Sequence, residues 1–266
     1  VTGVQTCALP IYRAVGGGHR PDRTRGRTTP LRSTAMVSAL AFIATAVATL
    51  FAQATLARAT RNRSAHEGAW AFALFLFALA SAALAVGVTT GWDNGTFRAF
   101  YLLGAILSVP WLALGTVYLL LGRTIGRRVQ WCLVAFSGLA VGAMLTCAID
   151  GPITGTAIPV GKEVLPVLPR VLAGAASGVG AIVIIVGAVL SAIRFARHPA
   201  PEARRRAFAN VLIALGTLIL SAGGLIQGAV GKDEAFTISL ATGITVIYAG
   251  FLVASSRARA VEPAPA

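Results

Sequence analysis

Long apolar runs alternate with short polar segments along most of this chain. Seven runs contain no Asp, Glu, Lys or Arg, and each ends near arginine, glycine or proline. An α-helix of about 20 residues is long enough to cross the hydrocarbon layer of a bilayer. The runs lie at residues 37–57, 69–90, 99–121, 130–149, 171–193, 208–230 and 235–255. This pattern predicts an all-α fold, a polytopic transmembrane bundle of about seven helices that occupies residues 36–256.

Basic side chains are concentrated in every second segment between these runs. Thirteen arginines lie in one set of segments and four basic residues lie in the other. Because cytoplasmic loops carry the excess of Lys and Arg, the richer set is predicted to be cytoplasmic. The amino end would then lie outside the cytoplasm, and residues 257–266 would form a short cytoplasmic tail. The richer set is Arg58, Arg61, Arg63, Arg123, Arg127, Arg128, Arg194, Arg197, Arg204, Arg205, Arg206, Arg257 and Arg259, and the poorer set is Arg98, Lys162, Arg170 and Lys232.

The tryptophans fit this arrangement. Trp70 and Trp131 fall at predicted cytoplasmic ends of helices, and Trp92 falls at an outer end, where the ring is expected to lie at the membrane interface. Trp111 is mid-helix beside Pro110, so we expect its ring to pack between helices and the proline to bend the third helix.

Composition supports a lipid environment over a nucleic-acid partner. Hydrophobic residues make up 56% of the 266 residues and charged residues only 12%, which is far below a soluble domain. The formal net charge of +14 could indicate nucleic-acid binding, but the arginines sit in short clusters between apolar runs. We therefore predict the lipid bilayer as the partner and no nucleic acid.

The first 35 residues differ from the rest. Residues 1–11 resemble the conceptual translation of a sequencing adapter, and residues 12–35 carry six arginines without an apolar period. We expect residues 1–35 to be an artefactual or disordered leader and Met36 to be the start. A basic presequence with a signal-peptide core is the alternative, but the run 37–57 is longer than such a core.

No motif for catalysis, a cofactor or a metal is present, so the chain is predicted not to be an enzyme. No ionisable residue is expected to be buried in a span, which argues against a proton relay or a voltage sensor. The uncharged polar residues Gln53, Asn210 and Gln227 are the candidates for polar contacts at the membrane midplane.

Three further features bear on packing and partners. The longest outer connection, residues 150–170, contains four prolines and could cap a cavity or receive a ligand. Arg204, Arg205 and Arg206 form a run that could contact anionic lipid. Glycine pairs four residues apart at 138 and 142, 174 and 178, and 224 and 228 predict close helix approach.

The stretches GTFRAFYLLG at residues 95–104 and PWLALGTVYLL at residues 110–120 resemble uncharacterised bacterial seven-helix inner-membrane proteins. They are also distantly similar to the amino-terminal seven-helix sensing region of some histidine kinases. The resemblance implies a multi-pass protein of the bacterial inner membrane. Only about a dozen residues follow the last span, so signalling is expected to need a separate partner.

Two functions remain open at this point. The first is a non-catalytic sensory or partner-binding bundle that stands alone, as the resemblance implies. The second is a small transporter for a neutral or weakly polar solute, which would use uncharged residues at the midplane.

Overall fold

The computed structural model describes residues 30–150, 153, 155–197 and 201–255. These residues are almost entirely helical and contain no strand. The helices are α1 (Pro30–Asn62), α2 (Ala65–Thr90), α3 (Asn94–Phe100), the π-helix π1 (Tyr101–Ser108), α4 (Val109–Thr146), α5 (Gly161–Val164), α6 (Val167–Ala196), α7 (Pro201–Val230) and α8 (Asp233–Ser255). The all-α class predicted from the apolar runs is confirmed.

Six helices among the described residues are long and apolar enough to cross a membrane. The third is a continuous run of 53 residues, Asn94–Thr146, which contains a backbone break at Gly122. Gly122 has φ 83° and ψ 177°, a conformation that an L side chain rarely adopts. The described part therefore holds six to seven membrane-length helices, which indicates a multi-pass integral membrane protein.

The run folds back on itself at Gly122. The Trp111 indole donates to the Ser137 hydroxyl at 3.1 Å, and the Tyr118 hydroxyl bonds the Gln130 amide oxygen. Both pairs are centred on Thr124, two positions after Gly122. Such pairing requires two antiparallel helices, and it confirms that the Trp111 ring packs between helices.

The predicted apolar runs lie within described helices, except that the run 99–121 spans α3, π1 and α4 and that residues 147–149 follow the end of α4. Helix α1 begins at Pro30, six residues before the predicted boundary at Met36. Residues 1–29 of the predicted leader and the predicted tail at 257–266 lie outside the described residues.

The two ends of the bundle differ in charge. The end that holds the α1–α2 turn, Gly122, the α6–α7 connection and the last turn of α8 is called the basic end here. Eleven arginines of the described chain lie on it: Arg58, Arg61, Arg63, Arg123, Arg127, Arg128, Arg194, Arg197, Arg204, Arg205 and Arg206. The opposite end, called the loop end, holds the α2–α3 and α7–α8 turns and the connection 147–166.

Large apolar side chains cover the outside of the bundle as well as its core. Leu225 is 74% exposed and Ile182 is 63% exposed, and many more such residues line α1, α4 and α6. Water-soluble proteins rarely expose contiguous apolar surface of this extent. Lipid is the solvent that suits this surface.

Pro110 is accommodated by a change in helix type. Proline has no N–H to donate to the carbonyl four residues earlier, and its ring crowds that carbonyl. The chain widens into π1 just before the proline, and the Ser177 hydroxyl of α6 donates to the carbonyl of Ala105 within π1. A π-helical segment that is bonded to a neighbouring helix thus precedes Pro110, while the predicted bend stays a prediction.

The prediction that paired glycines bring helices together is wrong. A Cβ atom added at any of Gly138, Gly142, Gly174, Gly178, Gly224 or Gly228 would meet nothing within 4 Å. These positions face outward. Close approach occurs instead at Gly115, where a Cβ would lie 2.2 Å from the Trp70 ring, and at Gly126, where it would lie 2.3 Å from the Tyr118 ring.

Gly126→Ala and Gly138→Ala make the same change in the second arm of the hairpin. We expect them to change the free energy of unfolding in different directions. Alanine stabilises an exposed helix position by up to about 1 kcal/mol relative to glycine, so Gly138→Ala should be neutral or stabilising. Gly126→Ala should lower the free energy of unfolding by about 1–3 kcal/mol because the methyl group collides with Tyr118. Thermal unfolding in detergent measures both, and equal midpoints would contradict the folded-back hairpin.

Candidate functional site

Polar interactions concentrate at the two ends of the bundle. In the interior, Ser177 and Ser137 bond across helices. The buried hydroxyls of Thr55 and Thr217 instead donate to carbonyls of their own helices, both at 2.8 Å, which satisfies them without involving another helix. The charged side chains that form hydrogen bonds with other helices or loops are found in two networks, one at each end.

At the loop end, residues 155–166 of the connection between α4 and α6 fold over the helix ends. Ile158 is 4% exposed and Leu165 is 2% exposed, and both belong to the main hydrophobic core together with Ile153. The Asp150 amide donates to the Val164 carbonyl at 3.0 Å, which closes the base of the connection. The connection is a packed cap.

Asp233 fastens this cap to the turn between α7 and α8. Its carboxylate accepts a hydrogen bond from the Ile158 amide at 2.8 Å and another from the Gln227 side-chain amide at 3.1 Å. On the other side, the Trp92 amide donates to the Gly155 carbonyl at 2.9 Å. The segment 155–158 thus bridges the α2–α3 and α7–α8 turns.

Two buried polar atoms at the loop end have no hydrogen-bond partner in the described structure. They are the indole nitrogen of Trp92 and the side-chain oxygen of Gln227, on residues that are 4% and 8% exposed. An unsatisfied buried donor or acceptor is destabilising by about 1–3 kcal/mol, which favours a polar molecule that bonds it. One atom is a donor and the other an acceptor.

The Trp92 ring packs in an aromatic group instead of facing the membrane interface. Its centre lies 5.4 Å from the Phe100 ring and 6.2 Å from the Phe97 ring, and Phe100 lies 6.2 Å from Phe236 of α8. The interfacial role predicted for Trp92 is wrong because the cap covers this helix end.

Asp93 and Arg98 hold the short helix α3 in place. Hydrogen bonds from the Thr96 hydroxyl, and from the Thr96 and Gly95 amides, hold the pKa of the Asp93 carboxyl below its usual value. Arg98 donates to the Cys147 carbonyl at 2.8 Å, where helix α4 ends. Both contacts place a charge at the helix end that stabilises it.

At the basic end, Glu67 is a buried carboxylate with several donors. It is 3% exposed and forms an ion pair with Arg58, whose Nε lies 3.0 Å from Oε1. Asn62 and Ser64 donate to Oε2 at 3.0 Å and 2.6 Å. Glu67 lies two residues before the predicted span 69–90, in the first turn of α2, so it is buried at the end of a helix and outside that span.

Arg58 also connects this network to the last helix. Its guanidinium carbon lies 4.9 Å from the centre of the Phe251 ring of α8, a cation–π contact. Phe251 in turn lies 5.0 Å from Phe51 of α1. The Glu67 network therefore joins α1, α2 and α8.

Two open clefts of the described chain lie at the basic end, and they share Arg123. One, of about 290 Å³, is lined by Arg123, Thr124, Arg127, Arg128 and Trp131. The other, of similar volume, is lined by Asn62, Arg63, Ser64, Ala65, His66, Tyr118 and Arg123. Neither includes any of the three midplane candidates.

The midplane candidates lie apart from one another. Gln53 is exposed on α1, Asn210 is half-buried near the basic end of α7, and Gln227 is buried at the loop end of α7. Asn210 and Gln227 are 17 positions apart on one helix, roughly 25 Å at the α-helical rise, so they do not share a site. Only Gln227 takes part in a polar network.

Glu67 and Asp233 were not selected from the sequence, although each has a local signal. Ser64-Ala65-His66-Glu67 has the spacing of a capping box, which places the glutamate beside the first turn of a helix. Asp233 follows Gly231-Lys232 at the start of α8, a usual site for an acidic residue. Nothing in the local sequence identifies Arg58 or Ile158 as their partners.

Comparisons with protein-family models, with curated proteins and with solved structures gave no match. The function therefore has to be argued from the two networks themselves.

We expect Glu67→Gln to lower the free energy of unfolding by about 2 kcal/mol. Breaking a fully buried ion pair is destabilising by about 3–5 kcal/mol, and Arg58 is partly exposed, which reduces the effect. Glu163→Gln, the same change on an exposed side chain of α5, should leave stability nearly unchanged. Chemical unfolding of the detergent-solubilised protein measures the difference, and equal effects would show that the Glu67 network is not stabilising.

Proposed function

We propose that this chain is a seven-helix protein of the bacterial inner membrane that acts as a non-catalytic sensory bundle. The cap at the loop end would receive a stimulus outside the cytoplasm. The Glu67 network at the basic end would pass it to a separate partner inside. The number of crossings, the orientation and the coupling of the two ends are each supported by a different group of residues.

Seven crossings follow from treating the hairpin at Gly122 as two spans. A straight helix of 53 residues would be about 80 Å long, more than twice the hydrocarbon thickness. The pairs Trp111–Ser137 and Tyr118–Gln130 support two arms of membrane length on either side of Gly122. With the other five long helices, these arms make seven.

Orientation follows from the charges of the two ends. Eleven arginines lie on the basic end among the described residues, whereas the loop end carries Arg98, Lys162, Arg170 and Lys232. The positive-inside rule then places the basic end in the cytoplasm and the loop end outside. An odd number of crossings puts the amino end outside.

The interior favours sensing over transport. A transporter of neutral solutes needs polar groups that face a continuous cavity near the midplane. The buried hydroxyls of Thr55, Thr217 and Thr237 are bonded to their own helices, and the two clefts at the basic end include none of the midplane candidates.

The observation that carries the sensory proposal is that α8 belongs to both end networks. Asp233, in its first turn, holds the cap through the Ile158 amide, and Phe251, near its other end, lies under Arg58. These two residues are 18 positions apart, about 27 Å along one helix. A shift of α8 caused by release of the cap would therefore change the contact at Arg58, which is the two-site coupling that signalling requires.

Cysteine labelling tests the crossings and the orientation. In a variant whose native cysteines are replaced by alanine, Ala157→Cys in the cap should react with a membrane-impermeant maleimide in intact cells. Thr124→Cys, just after Gly122, should react only after permeabilisation, although both positions are exposed. The reverse pattern would invert the topology, and labelling of both in intact cells would contradict seven crossings.

Hydrogen exchange in lipid nanodiscs tests coupling between the ends. We expect Asp233→Ala to speed exchange of the amides at 155–160, because the carboxylate that binds the Ile158 amide is lost. We also expect faster exchange at 62–68, where Asn62, Ser64 and Glu67 lie. Glu234→Ala, at the exposed neighbouring carboxylate, is the control and should change neither region.

The outcomes of that experiment separate the two parts of the proposal. Faster exchange in the cap alone would confirm that Asp233 holds the cap through the Ile158 amide. It would also rule out that α8 transmits the change to the basic end. No change in the cap would show that Asp233 does not hold it.

A further inference from the structure

We infer that the cleft beside Gly122 binds the phosphate group of an anionic phospholipid. This inference rests on the proposed placement of the bundle in a membrane. The cleft is lined by Arg123, Thr124, Arg127, Arg128 and Trp131, and its volume is about 290 Å³. It differs from the arginine run at 204–206, for which the sequence predicted a lipid contact.

The lining of this cleft has the chemistry of a phosphodiester site. It includes three guanidinium groups, and no carboxylate is among its lining residues. Arginine presents donors in a planar fork that bonds two phosphate oxygens at once, and the Thr124 hydroxyl can supply a further donor. The helix after Gly122 also begins here, so its positive dipole end adds to the attraction for an anion.

The surroundings of the cleft favour a lipid as the source of the phosphate. Trp131 is 69% exposed, and tryptophan at a helix end commonly lies at headgroup level. Exposed apolar side chains lead away from the cleft along the bundle, where acyl chains would lie: Leu119, Leu120, Leu121, Ile125 and Val134. A soluble phosphate compound would make no use of this apolar surface.

The run Arg204–Arg206 offers no comparable arrangement. The Arg206 guanidinium lies 5.8 Å from the centre of the Phe195 ring, and the Arg205 Nε atom is buried. Neither of the two clefts that share Arg123 is lined by residues 204–206. The run is equal in charge to the cleft arginines and on the same end, so it provides a matched control.

Lipid binding can be measured by native mass spectrometry of the delipidated full chain, titrated with phosphatidylglycerol or phosphatidylcholine. We expect at least one phosphatidylglycerol to bind about tenfold more tightly than phosphatidylcholine. The triple variant R123K/R127K/R128K keeps the charge that sets topology but loses the fork geometry, and it should weaken that binding about tenfold. The matched variant R204K/R205K/R206K should bind within about twofold of the unsubstituted chain.

Three results would overturn the inference. These are equal weakening by both triple variants, no weakening by the first, and equal affinity for the two lipids. Trp131→Ala, which changes no charge, provides a second test: weaker phosphatidylglycerol binding supports the site, and unchanged binding contradicts the role of the ring.

Inorganic phosphate distinguishes the source of the ligand. At millimolar concentration it should leave phosphatidylglycerol bound, and efficient displacement would show that the site recognises phosphate alone. Because binding is measured without a membrane of fixed orientation, its failure is separate from a failure of the topology or coupling experiments.

Discussion

The structure depends on one constraint, which is that lipid offers no hydrogen bonds to polar groups. Every backbone and side-chain polar group inside the bilayer must be satisfied by the protein itself. Helices meet this demand for the backbone, and back-bonded hydroxyls such as Thr55 meet it for side chains. Charged groups of the described residues are consequently confined to the ends of the bundle.

The same constraint explains how much of the fold the sequence could predict. Apolar runs and the arginines between them mark the helices, because length and charge follow directly from bilayer thickness and solvation. The reversal at Gly122 followed from the same signals, since Arg123, Arg127 and Arg128 interrupt the hydrophobic pattern there.

Which residues contact one another in the bundle could not be predicted in this way. Whether a glycine faces a neighbouring helix depends on how its own helix is rotated. The spacing of Gly138 and Gly142 therefore predicted a close contact that the structure lacks, whereas the close contacts are at Gly115 and Gly126. The burial of Trp92 depends on a cap that is distant in sequence. Glu67 and Asp233 had local capping signals, but Arg58 and Ile158 are their partners only because the bundle brings separate helices and loops together.

The positions of the two networks on α8 give the fold a mechanical property that neither network has alone. A helix bonded only at one end can move without consequence for the other, whereas α8 is held by Asp233 at the cap and touches Arg58 through Phe251. The contacts at its two ends differ in strength. Asp233 accepts two hydrogen bonds from groups at the loop end, while the Phe251 ring is held by packing and a cation–π contact.

If the ends are coupled as proposed above, this asymmetry would give the coupling a preferred direction of control. Directional hydrogen bonds to a carboxylate break over a short displacement, whereas ring packing tolerates small shifts and reports them gradually. The cap is therefore suited to hold one of two states, and the Arg58–Phe251 contact is suited to follow it. In the sensory role proposed above, a polar ligand would bond the unpartnered atoms of Trp92 and Gln227, which lie at the same end of the bundle as the cap.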